Sequence, residues 1–451
     1  MPIHKYMIEH VLFPAMERYK GNRIRALLSE LQQSQYADIA SIQTQRLTRL
    51  LLHCKAHIPA YRAILPAASQ IRADPFQVLR TAVPPLPKRA FQRDAARYLA
   101  DNIADAQRIP NCTGGSTGEP IHFFMTRQQV ETYEAARWRG LGWYGITPGS
   151  RSMMLWGNPI ELSRQAQLTS RLREQLLKNR RILSAYQLSD RNLAKYVKLI
   201  ERYQPEYLYG YATILTAFAR MIEQHKITLH CRLKAVVSTS ETLSDRQSAL
   251  LERVFHCPVA NEYGARDAGI LAYRCPQGGM HITAENCVIE VLDPISRKPL
   301  PNGESGVLAV TDLNNFVQPR LRYLLGDIGT LSATACPCGR HLPLLSRIDG
   351  REDDLLVGRA GTLVHGNVIG QLLRPLGGLS AFQFRQHTPQ QATLFLVKAA
   401  PDVRLDEAGI VHNIAKVLPD TSVSIQYVEQ IPRSPSGKKR YAIRAFDLTS
   451  D

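Results

Sequence analysis

Several stretches of this chain carry side chains whose types and spacing could do chemistry. Asn111 to Pro120 reads NCTGGSTGEP, ten residues with three glycines and three hydroxyl side chains. Glycine lets backbone N–H groups approach a ligand closely, and hydroxyls rotate to follow it. Thr113, Gly114, Gly115, Ser116, Thr117 and Gly118 therefore form a candidate cradle for phosphate oxygens. It is not a Walker loop, since G-x-x-x-x-G-K-[ST] is absent, and a plain Gly-Ser surface turn is the competing reading. Charged groups recur in turn-rich contexts further on: Asp267 in EYGARDAG, Asp327 in RYLLGD, Arg351 in GREDD and Lys438 in PRSPSGKKR. Cys275 and His281 stand as C-x5-H, and Cys336 and Cys338 as C-x-C, each pair in a Pro/Gly-rich turn. Four N/S donors from two knuckles suit a tetrahedral structural zinc, with buried free thiols as the alternative.

The elements that must position these groups alternate between helix and strand. Ile42, Leu47, Leu50, Leu51, Cys54 and Ile58 recur at helical spacing with Arg and Gln between them, which predicts an amphipathic helix before the turn IPAYR. The prolines of VPPLPK stop that structure, and further helical patterns follow at Gln129 to Trp143, Asn192 to Tyr203 and Ala212 to Gln224. Between them lie short β-like runs, SMMLW, YLYGY, LKAVVST and VIEVLD. This order implies an α/β architecture with a largely parallel sheet. After about residue 300 the chain becomes turn-rich, and beyond Asp354 two β-like runs, ATLFLVK and SVSIQYV, flank a helical stretch near Leu405 to Leu418. A large domain over 1–350 and a small α+β domain over 351–451 are expected, with the boundary at GREDD.

Composition narrows the class. With 44% hydrophobic and 21% charged residues over 451 positions, the chain reads as a soluble globular protein of two or more domains. No apolar run approaches the roughly 18 residues that span a bilayer. The N-terminus lacks a secretory cleavage pattern, so a cytoplasmic protein is expected, and its eight cysteines read as thiols or metal ligands. The formal charge of +17 invites a nucleic-acid reading, but Lys and Arg are spread along the chain and cluster only around Arg171 to Arg181 and at GKKR. No interleaved aromatic-basic strand motif of the RNA-binding kind is present. A basic zinc-containing nucleic-acid binder therefore stands as a remote alternative.

In company, these stretches carry a resemblance. TGGSTGEP, EYGARDAG, RYLLGD, GREDD and PRSPSGKKR resemble, in order, the signatures of the adenylate-forming superfamily of acyl-CoA synthetases, adenylation domains and luciferases. RLTRLLLHCKAHIPAYR, VPPLPKRAF, CPQGGMH and CPCGR are similar to its phenylacetate-CoA ligase branch, including relatives in polysaccharide and secondary-metabolite clusters.

The resemblance implies ATP-dependent, AMP-forming activation of a small carboxylic acid through an acyl-adenylate, with Mg2+, giving a CoA thioester. A carrier-protein thiol or an amine is the alternative acceptor. It assigns Thr113 to Gly118 to the β- and γ-phosphates, Asp267 to magnesium, Tyr263 and Gly264 to one face of adenine, and Ser240, Glu241 and Thr242 to the other. It assigns Asp327 to the ribose hydroxyls, Arg351 to ribose or phosphate, and Lys438 to the substrate carboxylate and α-phosphate. Asp353 would be the pivot of a mobile C-terminal domain, after which GRAGTLVHG replaces Lys438 at the site. Two departures stand out: Glu119 where relatives often carry lysine, and Asp267 where they carry glutamate. A catalytically dead relative is the reading those departures would favour; the retained Lys438 and Asp327 oppose it.

Residue by residue, local alternatives compete: a helix cap before AGILAY for Asp267, ordinary core for Tyr263, an exposed basic tail for Lys438. Trp138, Trp143, Trp156, Tyr209 and Tyr211 fall near segments that line the acyl pocket in relatives, though burial as core is their commoner fate. A homodimer is carried as an expectation without a sequence signal.

Overall fold

The computed structural model describes residues 3–113, 121–156, 174–184, 187–358, 362–373, 376, 378–431 and 441–446. The predicted first amphipathic helix runs Ile39–His57, started by Asp38, whose carboxylate accepts from the Ser41 amide at 3.2 Å. Leu47, Leu50, Leu51 and Cys54 are fully buried on one stripe, against Val78, Leu79, Leu313 and Leu321. Each such leucine contributes about 1.5–3 kcal/mol through burial.

A hairpin of β1 (Ile109–Cys112) and β2 (His122–Met125) flanks the glycine-rich loop. Eleven strands form the main sheet: β3 (Ser152–Trp156), β4 (Arg180–Ser184), β5 (Tyr207–Tyr211), β6 (Ala235–Thr239), β7 (Val259–Ala265), β8 (Gly269–Arg274), β9 (Met280–Ile282), β10 (Cys287–Leu292), β11 (Ser305–Asp312), β12 (Tyr323–Leu331) and β13 (Leu344–Arg351). Their spatial order is β10-β11-β12-β13-β9-β8-β7-β6-β5-β3-β4. From β4 to β7 every pairing is parallel; from β7 to β10 every pairing is antiparallel. The expected parallel sheet is therefore only half of the real one.

Connection length decides which half is which. Helices Asp190–Tyr203, Ala212–Gln224 and Asp245–Phe255 supply crossovers between β4, β5, β6 and β7. After Ala265 only three residues separate β7 from β8, too few for a crossover, and the chain must turn back on itself. The helices bury Leu193, Ile200, Leu215, Phe218 and Leu251 against Met153, Leu208 and Val236 of the parallel half.

Beyond β13 come a small pair, β14 (Leu355–Val357) and β15 (Leu363–His365), and a separate four-stranded sheet. That sheet comprises β16 (Leu379–Thr388), β17 (Gln391–Lys398), β18 (Ser422–Tyr427) and β19 (Ala442–Arg444), ordered β18-β17-β16-β19. Helix Glu407–Ala415 packs Ile410 and Ile414 on Phe384, Leu394 and Leu396. The fold is thus a large α/β unit followed by a small α+β one. No described helix is long and apolar enough to cross a membrane.

Candidate active site

Three motif residues far apart in sequence converge at the middle of the main sheet. Asp327 and Arg351 are cross-strand partners of β12 and β13, and Arg351 Nη1 donates to Asp327 Oδ1 at 2.7 Å. From β7 the Tyr263 hydroxyl donates to Asp327 Oδ2 at 2.9 Å. Burial, then the Asp327 charge, hold the Tyr263 hydroxyl well above its usual pKa, so it stays a donor. One carboxylate thus orients an aromatic ring and a guanidinium together. Gly264 follows Tyr263 where the backbone is crowded: a Cβ there would stand 2.6 Å from the Gly269 carbonyl oxygen. Glycine permits the tight β7–β8 turn.

Asp267, in that turn, is buried, and its Oδ2 accepts from the Tyr323 hydroxyl at 2.9 Å. AGILAY is a strand, β8, so the helix-cap alternative for Asp267 is removed. Its backbone carbonyl accepts from Arg320 Nη2. Arg320 is itself buried, its guanidinium 4.9 Å from the Phe123 ring centroid, 5.2 Å from Phe91 and 5.6 Å from Tyr323. Its Nη1 has no hydrogen-bond partner among the described residues. Arg320 was not legible as a site residue: it sits two positions before RYLLGD and resembles any strand-flanking arginine. Arg322 of that motif is a fastener, donating to Glu290 at 3.0 Å and to the Val83 carbonyl at 2.9 Å, which ties VPPLPK to the sheet.

Thr113 closes the base of the glycine-rich loop by accepting from the Ile121 amide at 3.0 Å while donating its own amide to the Ile121 carbonyl. Gly114 to Gly118 lie outside the described residues, as does Lys438. Ser240 adopts a left-handed φ of 65°, and Glu241 accepts from the Thr213 amide at 2.8 Å, at the start of helix Ala212–Gln224. Thr242 follows in the same loop after β6.

The neighbour of Tyr263 points the other way, as alternation along β7 requires. Glu262 is buried and accepts from the Tyr209 hydroxyl at 2.7 Å, from Arg137 Nε at 3.1 Å and from Thr239 at 3.3 Å. Trp156 and Tyr211 stack beside Tyr209, with ring centroids 5.9 Å and 4.5 Å from Trp156 to Tyr209 and Tyr211 respectively. Glu262 was overlooked although alternation with Tyr263 could have flagged it. Trp143 does not join this group: its indole N–H donates to Gln35 at 3.0 Å and its ring lies edge-on to His281 at 5.4 Å.

That histidine belongs to the predicted knuckle pair. Donor atoms of Cys275, His281, Cys336 and Cys338 all lie within 4.8 Å of one another. The Cys275 and Cys336 sulfurs are 3.7 Å apart, and Cys338 Sγ is 3.1 Å from His281 Nε2. Tetrahedral zinc with Zn–S of about 2.3 Å sets its sulfurs roughly 3.8 Å apart, so the donor set fits. A Cβ on Gly279 would stand 2.6 Å from the Cys336 sulfur, so only glycine leaves room for the second knuckle.

Known proteins share this fold. A 2-hydroxyisobutyryl-CoA ligase in its postadenylation state superposes with a TM-score of 0.67 at 19% identity, covering 89% of this chain and 88% of that one. The fold is that of the adenylate-forming CoA ligases. In sequence, the chain is 26% identical over 369 residues to Protein CapK of Staphylococcus aureus, covering 78% of each, and 25% identical over 450 residues to a phenylacetate-coenzyme A ligase of Thermus thermophilus, covering 91% of this chain and 96% of the relative. Residues 356–445 match the CapK C-terminal domain model. The relatives are thus those of the phenylacetate-CoA ligase-like branch that the motifs indicated.

Proposed function

We propose that this protein is an ATP-dependent, AMP-forming acid-thiol ligase that activates a small carboxylic acid as its adenylate and passes the acyl group to CoA. The observation that carries the reading is the convergence of Tyr263, Asp327 and Arg351, the first two 64 positions apart, on one carboxylate. A carboxylate can accept two hydrogen bonds from a vicinal diol, so Asp327 would hold the ribose while Tyr263 presents its ring to adenine. Arg351, locked by Asp327, would add positive charge beside the phosphates. Thr113 to Gly118 would cradle the β- and γ-phosphates, and Lys438 would meet the charge that develops as the acid attacks the α-phosphorus. Ser240, Glu241 and Thr242 would flank the other face of the base.

Magnesium, when bound, would neutralise phosphate charge. Asp267 would hold it, with Tyr323 fixing the carboxylate. At the cysteine cluster we place one structural zinc; four protein donors leave no open position for catalysis. The thiol usage suits a cytoplasmic enzyme.

Residues 1–350 and 351–451 would act as two domains that re-orient about Asp353 between the half-reactions. Asp353→Pro is expected to leave acid-dependent pyrophosphate exchange within about threefold of wild type while CoA thioester formation falls at least about tenfold. Equal loss of both steps contradicts the hinge. A protein that exchanges pyrophosphate yet never consumes CoA thiol instead acylates a carrier thiol or an amine.

A further inference from the structure

A cavity of about 210 Å³ lies between the N-terminal helices, helix Arg127–Gly142 and the segment that follows β11, and none of its lining residues belongs to the nucleotide cluster above. Three arginines line it, Arg23, Arg46 and Arg49, against a single carboxylate, Glu30, leaving a surplus of two positive charges. At its wall Arg46 Nη1 donates to the Glu285 carbonyl at 2.9 Å and to Asn286 Oδ1 at 3.4 Å. Asn314 Nδ2 donates to the same Asn286 oxygen at 3.2 Å. Two donors on that oxygen fix the orientation of the Asn286 amide, so its nitrogen faces away from them as a donor. Asn286 is only 4% exposed, so Arg46 is anchored on a buried side chain that cannot move aside. Burial also lowers the Arg46 pKa, despite the nearby Glu285 and Glu30 carboxylates, and an added anion would oppose that shift.

We infer that this cavity is a binding site for a small phosphoryl anion, of the size of orthophosphate or pyrophosphate, held by the guanidinium groups of Arg46 and Arg49. Guanidinium forks match phosphoryl oxygens two at a time, and a surplus of two charges suits a dianion better than a monocarboxylate. The volume, below the roughly 300 Å³ at which pockets for larger ligands begin, suits a small anion better than a whole nucleotide.

Calorimetric titration of the full-length protein with pyrophosphate, and separately with orthophosphate and malonate, tests this. Wild type is expected to show a pyrophosphate site that Arg46→Gln and Arg49→Gln each weaken by about tenfold or more, while acid-dependent AMP formation stays within about twofold. Arg49 is exposed, so its variant keeps the test valid if Arg46→Gln folds poorly. Whether pyrophosphate or orthophosphate binds more tightly identifies the anion. Isotherms unchanged in Arg49→Gln, or malonate bound as tightly as either phosphate, would overturn the assignment.

Discussion

Replacing Asp327 by alanine is expected to lower kcat/KM for ATP by about 100- to 10,000-fold, since hydrogen bonds to a charged acceptor are worth about 1.5–3 kcal/mol each and the ribose would lose two. The same change frees the Tyr263 hydroxyl and the Arg351 guanidinium, which both hold their positions through this carboxylate. Stability should fall by about 1–3 kcal/mol, because the part-buried Tyr263 hydroxyl loses its acceptor. The Asp327–Arg351 pair is partly exposed, at 16% and 28% of their side chains, and such pairs contribute at most about 1 kcal/mol. Asp327→Asn keeps one acceptor and should fall between wild type and Asp327→Ala. Steady-state kinetics with ATP as the varied substrate checks the order; an alanine variant within tenfold of wild type would remove Asp327 from the nucleotide site.

Chelation, or Cys338→Ser, is expected to release about one zinc per chain and to destabilise the protein by about 4 kcal/mol, the effect of losing a ligand held at 1,000 times its dissociation constant. The damage should be local to what the knuckles join. His281 lies on β9, whose partner β13 begins eight residues from Cys336, and the ring of His281 meets Trp143, which in turn is tied to Gln35. Arg340, next to the second knuckle, covers the same tryptophan at 4.6 Å and donates to Gln35. Tryptophan fluorescence should therefore shift together with metal release. Metal analysis that finds no zinc after gentle purification removes the claim, and free thiols then account for the cluster.

Much of this was readable before any coordinates. The helix Ile39–His57 announced itself through Leu47, Leu50, Leu51 and Cys54, because a buried stripe must recur at helical spacing. The cysteine knuckles were visible because metal ligands sit in short, turn-rich pairs. Tyr263, Asp327 and Arg351 were each legible within a motif, but their meeting point depends on which strands become neighbours, and that is not local information. The same limit hid the antiparallel half of the sheet, where turn length rather than strand composition decides direction. Arg320, Glu262 and Arg137 stayed hidden for another reason. A charged residue is usually solvated, and nothing beside it in sequence tells that it will be buried against a partner from another element.

The central claim is that this chain makes an acyl-adenylate, and acid-dependent exchange of labelled pyrophosphate into ATP, with magnesium and without CoA, measures that step alone. A panel of aryl, fatty and amino acids should contain a class that supports exchange, with the rate falling at least about 100-fold in Lys438→Ala, which loses a point charge aimed at the transition state. Exchange that no acid on the panel stimulates, or that is indifferent to Lys438, would contradict the account.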